Sequence, residues 1–268
     1  MVKATCRGRQ LDKLEQALRN RKRKVLVGAA VGSYNPAFVE IIAKLGYDSL
    51  WIEMEHQFIT FAQAEDLCRI ASGLGLLTMI RIADCRRENV LKAAECGPDI
   101  IDLPMANTVD VVEEFVRHAK YAPEGSRGFY GSSRALGYSI GFDVVTMQQQ
   151  VNSDLCLMIQ LETREAIQNA EQLCSVPGIN AVLIGPGDLS ASFGVPGRTD
   201  DPRVINAIGA GIEKAKAAGK NVAISTSPAN VGRWSRKGVD VVYVLGDASC
   251  IRVGAQKILE ETLSALES

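Results

Sequence analysis

Two carboxylates and a histidine stand together where an apolar run stops. Ser49-Leu50-Trp51-Ile52 is followed by Glu53-Met54-Glu55-His56, and His56 is one of 2 histidines among 268 residues. Titratable groups at the rim of a buried strand suit acid–base chemistry, whereas a purely structural strand end would carry Thr or Gly. Other apolar runs stop in a similar way. Arg81 lies inside Met79-Ile80-Arg81-Ile82, and a buried cation is costly unless it meets a carboxylate or an anionic ligand. Leu155–Leu161 leads into Glu162, and Gln160 lies two residues before it, so the two share one face of a strand. Asn180–Ile184 leads into Gly185-Pro186-Gly187-Asp188. Each residue also has a plainer reading. Glu162 and Asp188 suit a helix N-terminus, and His56 alone reads equally well as a structural histidine. The recurrence at several strand ends favours chemistry.

Two carboxylates without neighbouring Cys or His ligands suit a hard divalent cation. Glu162 and Asp188 would leave coordination positions for water and for the carboxylate and keto oxygens of a 2-oxo acid. The cation would polarise the ketone as a Lewis acid. Arg81 would stabilise the developing enolate oxygen, and His56 would move protons through a water. Gly187 has no side chain, so a carboxylate can approach the backbone there. No Lys-Ser/Thr follows this glycine segment, which argues against a phosphate-binding loop. No lysine ends a strand, which argues against Schiff-base chemistry. The other histidine, His118, lies near a helix end and reads as a solvated or capping group.

Elements that must position these residues alternate along the chain. Apolar runs cover Val25–Ala30, Ser49–Met54, Leu77–Ile82, Asp99–Leu103, Leu155–Leu161, Asn180–Ile184, Asn221–Ser225 and Val241–Leu245. Helical patterns separate most of them: Pro36–Leu45, Phe61–Leu74, Arg87–Cys96, Val109–Lys120, Arg164–Cys174, Pro202–Ala218 and Pro228–Lys237. A helix around Leu11–Arg19 precedes them, within an N-terminal segment 1–24, and an amphipathic one over Ala248–Leu266 comes after. Glycines 46, 75, 97, 178, 219 and 238 fall where helices should stop. Eight such units predict one (β/α)8 TIM-barrel domain over 1–268 rather than an open sheet. Gly28-Ala29-Ala30-Val31-Gly32 lacks the spacing of a dinucleotide fingerprint. The glycine-rich segment 122–152 interrupts the rhythm and is expected to form a lid or an interface loop.

Composition narrows the partners. Thirty basic and 31 acidic residues give a net charge of −1, which argues against nucleic acid or a membrane surface. The basic run Arg19–Lys24 reads as a solvated helix end. Seven scattered cysteines, Cys6 among them, show no zinc spacing and suggest a reducing compartment. With no signal peptide and no 18-residue apolar run, the chain is expected to be soluble and cytoplasmic.

Several segments in order resemble the HpcH/HpaI aldolase/citrate lyase family. They are Gly46-Tyr47-Asp48, Glu55-His56, Arg81, Leu103-Pro104-Met105, Tyr121–Gly128, Gln160-Leu161-Glu162-Thr163 and Ile184–Ser190. That family includes metal-dependent class II pyruvate aldolases, among them 4-hydroxy-2-oxo-heptanedioate and 2-keto-3-deoxy-sugar-acid aldolases and the macrophomate synthase branch. The resemblance implies a carbon–carbon lyase that cleaves a 4-hydroxy-2-oxo acid to pyruvate and an aldehyde through a metal-bound enolate. It implies His56 as base, Arg81 as the transition-state cation, and Glu95 as the carboxylate that raises the basicity of His56. It implies Glu162 and Asp188 as ligands of Mg²⁺, Mn²⁺ or Co²⁺, with Gln160, Gly187 and Asp188 touching substrate. It further implies a homohexamer, a trimer of dimers; members of the family swap the last helix onto a neighbour, and the apolar stripe of Ala248–Leu266 suits either a swapped or an ordinary last helix. The chain departs from the family's usual Asp-Gly-Glu-His at Glu53-Met54, and carries Glu95 where Asp is common. Residues 129–135 fall where such enzymes differ in their acceptor pocket. Two alternatives stand beside this reading: an oxaloacetate decarboxylase or macrophomate-synthase-like bond former on the same barrel, and a non-catalytic barrel that binds small acids.

Overall fold

A computed structural model describes residues 11–141 and 143–267; Cys6 and the first ten residues of the 1–24 segment lie outside them. Eight parallel strands close into a barrel, each paired with its sequence neighbours and β1 with β8. They are β1 (Leu26–Val31), β2 (Ser49–Glu53), β3 (Leu77–Arg81), β4 (Ile100–Leu103), β5 (Cys156–Leu161), β6 (Ala181–Ile184), β7 (Asn221–Ser225) and β8 (Val241–Gly246). The helices are α1 (Lys13–Asn20), α2 (Pro36–Leu45), α3 (Phe61–Gly73), α4 (Arg87–Glu95), α5 (Val109–Ala119), α6 (Val144–Asp154), α7 (Arg164–Ser175), α8 (Pro186–Ser192), α9 (Pro202–Ala217), α10 (Val231–Arg236) and α11 (Asp247–Glu267). This is the expected (β/α)8 barrel.

A repeated local device sets the strand register. Five helices end in Gly-x-Asp or Gly-x-Asn, and in four of them the acid or amide reaches back to the preceding strand: Gly46-Tyr47-Asp48, Gly97-Pro98-Asp99, Gly178-Ile179-Asn180 and Gly238-Val239-Asp240. Each glycine has a positive φ, between 67° and 95°, which ends the helix without a Cβ clash. Each acid or amide then accepts the N–H near the start of the preceding strand, at Val27, Thr78, Leu157 or Val222, over 2.8–2.9 Å. Every even-numbered strand is thus tied to its odd-numbered predecessor at the N-terminal end of the barrel.

Alternate residues of each strand face two different cores. Outward residues such as Leu50, Ile52, Ile80, Ile101, Ile159 and Val182 pack with the helices. Inward residues Leu26, Leu77, Met79, Ile100, Cys156 and Met158 fill the lumen. Leu14 and Leu18 of α1 plug its N-terminal end. Gly28 leaves room for the Tyr243 ring, since a Cβ there would lie 2.4 Å from Cε1.

Two sequence expectations change here. Segment 122–152 leaves the end of α5 and returns to the start of β5, so it lies at the N-terminal end of the barrel and is no lid over the C-terminal mouth. It holds a 3₁₀ turn at Arg134–Ser139 and α6, and Arg134 donates to the carbonyls of Cys96 and Gly97, both over 2.8 Å, just before β4. Residues 129–135 accordingly lie away from the mouth of their own barrel. His118 is not a solvated cap: its side chain is only 12% exposed, and Nδ1 lies 3.0 Å from the Cys85 carbonyl.

Candidate active site

At the C-terminal end the inward positions turn from apolar to polar. On β3 the series runs Leu77, Met79, Arg81; on β4, Ile100, Asp102; on β5, Cys156, Met158, Gln160, then Glu162. Register places Glu53 beside Arg81 and Arg81 beside Asp102. Trp51 forms the boundary between the layers, with the Arg81 guanidinium 5.0 Å above its ring and the Tyr243 ring edge-on to it, centroids 5.2 Å apart.

Glu53 organises one side of this layer. Its Oε2 accepts from Arg81 Nε at 2.6 Å and pairs with a terminal nitrogen of Arg81 at 2.5 Å. Its Oε1 accepts the backbone N–H groups of Glu55 at 2.8 Å and His56 at 3.0 Å. The same carboxylate therefore fixes the arginine and folds the loop that presents His56. Glu55 continues the chain, 3.0 Å from Arg81 and 3.6 Å from His56 Nε2. Burial raises the Glu55 pKa, opposed chiefly by Arg81. Burial also works against the charge of Arg81, but Glu53 and Glu55 outweigh it and raise its pKa. His56 is 57% exposed at the rim.

Glu162 organises the other side. Thr163, not Glu162, caps α7, its side chain accepting from the Ala166 N–H, so the carboxylate is free of that structural duty. Oε1 accepts the Met105 N–H at 2.7 Å. Met105 has a φ of 51°, a strained backbone for a side chain of this kind, which gives the Leu103-Pro104-Met105 segment a purpose: it aims an amide at Glu162. Oε2 is buried and has no hydrogen-bond partner. Burial pushes the Glu162 pKa up to about 7, helped by the charges of Glu55 and Asp188 and opposed by the Met105 amide and Arg81. Gly185 is needed beside it, because a Cβ would fall 2.6 Å from Oε2.

Arg81, Gln160, Glu162, Gly187 and Asp188 line one cavity of about 590 Å³. Asp188 sits in the first turn of α8 and is exposed, and a Cβ at Gly187 would meet nothing within 4 Å, leaving its backbone approachable. Among the described residues no three His, Cys, Asp or Glu side chains gather into a cage. The pair Glu162 and Asp188 nonetheless fits a divalent cation that keeps open positions. The unpartnered buried Oε2, and a carboxyl held near neutrality for want of a counter-charge, are what a cation would satisfy.

Glu95 is not brought into this group. It ends α4, at the N-terminal end of the barrel, and pairs with Arg127 at 2.9 Å; the carboxylate beside His56 within the chain is Glu55. One residue escaped the sequence reading. Asp102 is fully buried, its Oδ2 accepts from Gln160 Nε2, and its Oδ1 has no partner. Burial raises its pKa well above the carboxylate range. An acid among Ile100, Ile101 and Leu103 was the signal.

Fold and site together define a (β/α)8 barrel with a layer of buried polar and charged residues at its C-terminal mouth. The HpcH/HpaI aldolase/citrate lyase model matches residues 27–244, and the chain belongs to that family. It is similar to the hydroxypyruvate/pyruvate aldolase of Sagittula stellata, 30% identical over 91% of this chain and 95% of that protein. It is likewise similar to the 2-keto-3-deoxy-L-rhamnonate aldolase of Escherichia coli, 33% identical over 75% of each chain. The solved HpcH/HpaI aldolase from Desulfitobacterium hafniense DCB-2 superposes with a TM-score of 0.85 at 26% identity, covering 93% of this chain and 95% of that one. The protein is thus a carbon–carbon lyase of the aldolase class.

Proposed function

We propose that the protein cleaves a 4-hydroxy-2-oxo acid to pyruvate and an aldehyde, and runs the reverse addition. The observation that carries this is the buried, unpartnered Glu162 Oε2 facing a cavity shared with Asp188 and Arg81. Mg²⁺, Mn²⁺ or Co²⁺ held by Glu162 and Asp188 would supply Lewis-acid polarisation of the 2-keto group. In cleavage the C4 hydroxyl loses its proton, the C3–C4 bond breaks, and C3 takes a proton to become the methyl group of pyruvate. His56 handles these protons through water from the rim, its loop held by Glu53 and its Nε2 beside Glu55. Arg81, fixed by Glu53, offers a stationary positive charge to the enolate oxygen as it develops. Gln160 is held by Asp102 on the cavity wall, and the approachable backbone at Gly187 receives the substrate carboxylate.

Assembly belongs to the same proposal. Ile251, Val253, Ile258, Leu259, Leu263 and Leu266 of α11 are all exposed. That apolar surface supports docking of α11 on a neighbouring copy in a hexamer. No helix among the described residues is long and apolar enough to cross a membrane. The free cysteines among the described residues support a reducing, cytoplasmic setting.

Pyruvate incubated with a panel of aldehydes and each of the three metals tests the reading, with products identified by mass. Aldol adducts that disappear on chelation are expected. Oxaloacetate decarboxylation that far outruns any aldol reaction would instead make the protein a decarboxylase.

A further inference from the structure

Asp102 is buried beneath the mouth cavity rather than lining it. It lies in register with Met158, one inward step below Gln160, among buried Ile100, Ile101 and Leu103. Gln160 and Glu162 line the cavity of about 590 Å³, and Asp102 does not. Arg81 pairs with Glu53 and Glu55 instead of with Asp102. Among the described residues the one hydrogen bond of the Asp102 carboxyl is with Gln160 Nε2. Burial of this carboxyl opposes folding, because Oδ1 has no partner to replace water. An apolar side chain of similar size would fill the same place without that penalty.

That one bond decides which way the Gln160 amide faces. Asp102 Oδ2 accepts from Nε2, and it can do so whether or not Oδ1 carries a proton. The amide nitrogen is thereby turned down into the barrel, and the amide oxygen is left to the cavity side. Gly185 marks where that oxygen stands. A Cβ there would fall 3.3 Å from Gln160 Oε1 and 2.6 Å from Glu162 Oε2. Neither oxygen has a hydrogen-bond partner among the described residues. Two acceptors therefore border one small space, an arrangement that a cation or a proton donor between them relieves. A reversed amide would instead turn its NH2 group towards Glu162 Oε2 and close that oxygen with a charge-assisted hydrogen bond.

We propose that Asp102 is a positioning residue: by holding Gln160 Nε2 away from Glu162, it keeps Glu162 Oε2 open for a divalent cation. The inference rests on the metal-dependent reading of the site and adds a residue to it. It gives the buried acid a role that packing alone does not. Without Asp102 the Gln160 NH2 group is left buried and unpaired, which is unfavourable. Glu162 Oε2 is the unpaired acceptor on the other side of the amide, and the NH2 group turns to it. A cation must then break a hydrogen bond to a carboxylate before it binds.

Calorimetric titration with Mn²⁺, in the absence of substrate, tests it. Asp102→Leu should weaken Mn²⁺ binding by about tenfold or more, the effect of one hydrogen bond to a charged group. Asp102→Asn keeps an acceptor for Nε2 and should bind Mn²⁺ as the wild type does. Gln160→Met leaves no amide to turn, so it should bind more tightly than Asp102→Leu. The double variant Asp102→Leu/Gln160→Met should match Gln160→Met, a non-additivity that reports the coupling of the two side chains. Loss of a merely structural carboxyl would not be rescued by removing a second side chain. Melting temperatures should change little across the set. Unaltered Mn²⁺ affinity in Asp102→Leu, or a double variant as weak as Asp102→Leu, overturns the proposal. Failure of both Asp102→Leu and Asp102→Ala to fold would make the carboxyl structural and overturn it as well. Wild-type binding separates the two levels. Mn²⁺ bound equally by wild type and Asp102→Leu defeats this inference alone, whereas a wild type that binds none of Mg²⁺, Mn²⁺ and Co²⁺ defeats the metal-dependent reading with it.

Discussion

The two ends of the barrel lumen are made by the same strands and do opposite things. Leu26, Leu77, Ile100 and Cys156 close the N-terminal end with Leu14 and Leu18 of α1. Towards the other end of the same strands, the inward positions are Glu53, Arg81, Asp102, Gln160 and Glu162. The first layer gains from burial of apolar area. The second incurs desolvation and recovers part of it through the Glu53–Arg81–Glu55 chain. It leaves carboxylate oxygens of Asp102 and Glu162 unsatisfied. Stability is concentrated at one end and reactive potential at the other, as the fold generally arranges them.

Crossed substitutions sharpen this contrast most. Glu162→Ala should abolish divalent-metal binding and turnover while changing the melting temperature little, since relief of the unpartnered buried Oε2 offsets loss of the Oε1 bond to the Met105 N–H. Leu14→Ala should lower unfolding free energy by about 2–5 kcal/mol and leave metal affinity, read by calorimetry, as in the wild type. If Glu162→Ala unfolds the protein, or Leu14→Ala weakens the metal, the division between the ends is wrong.

Glu53→Gln probes the join between stability and chemistry. It withdraws the charge that Arg81 meets at 2.5 Å, although Glu55 remains. Loss of one partner of a buried pair costs up to about 3–5 kcal/mol, and turnover should fall by about 100-fold for want of a fixed oxyanion partner. Denaturant unfolding and steady-state kinetics on the same preparation read both.

The smallest effect is on pH. Glu162 has its pKa pushed up to about 7, so below that the metal-free protein holds a proton that the cation must displace. Because the folded-state value is raised, the native chain binds the extra proton from the ordinary carboxylate range up to about 7. Metal affinity should therefore fall by about tenfold per pH unit as pH drops below 7 and level off above it. A flat profile between pH 5 and 7 would contradict the burial argument.

Much of this was legible in the residues. All eight strands lie where the apolar runs predict, and all six helix-ending glycines have positive φ. His56, Arg81, Gln160, Glu162, Gly187 and Asp188 lie at the one C-terminal end, though His56 stands on the rim and reaches the rest through Glu55. What sequence reasoning missed has physical causes. The helix α8 is only 7 residues long and begins with Pro-Gly, so it reads as a loop. Asp102 escapes a reading that stops the strand at Pro104 and ignores the inward alternation before it. Segment 122–152 could have been placed from topology alone, since a helix-to-strand connection always returns at the N-terminal end. Glu95 could have been placed the same way. The Gly-x-Asp/Asn repeat is hidden because its working group stands two residues beyond each glycine, where the next strand is about to begin.

The central claim is that this mouth enolises pyruvate with the help of a divalent cation. Proton NMR of the pyruvate methyl signal in deuterated buffer tests it without any choice of aldehyde. Wild-type protein with Mg²⁺, Mn²⁺ or Co²⁺ should exchange the methyl protons, His56→Ala should bind metal and exchange slowly, and Glu162→Ala should not exchange. Absence of exchange in the wild type with all three metals, or exchange that survives Glu162→Ala, would contradict the account.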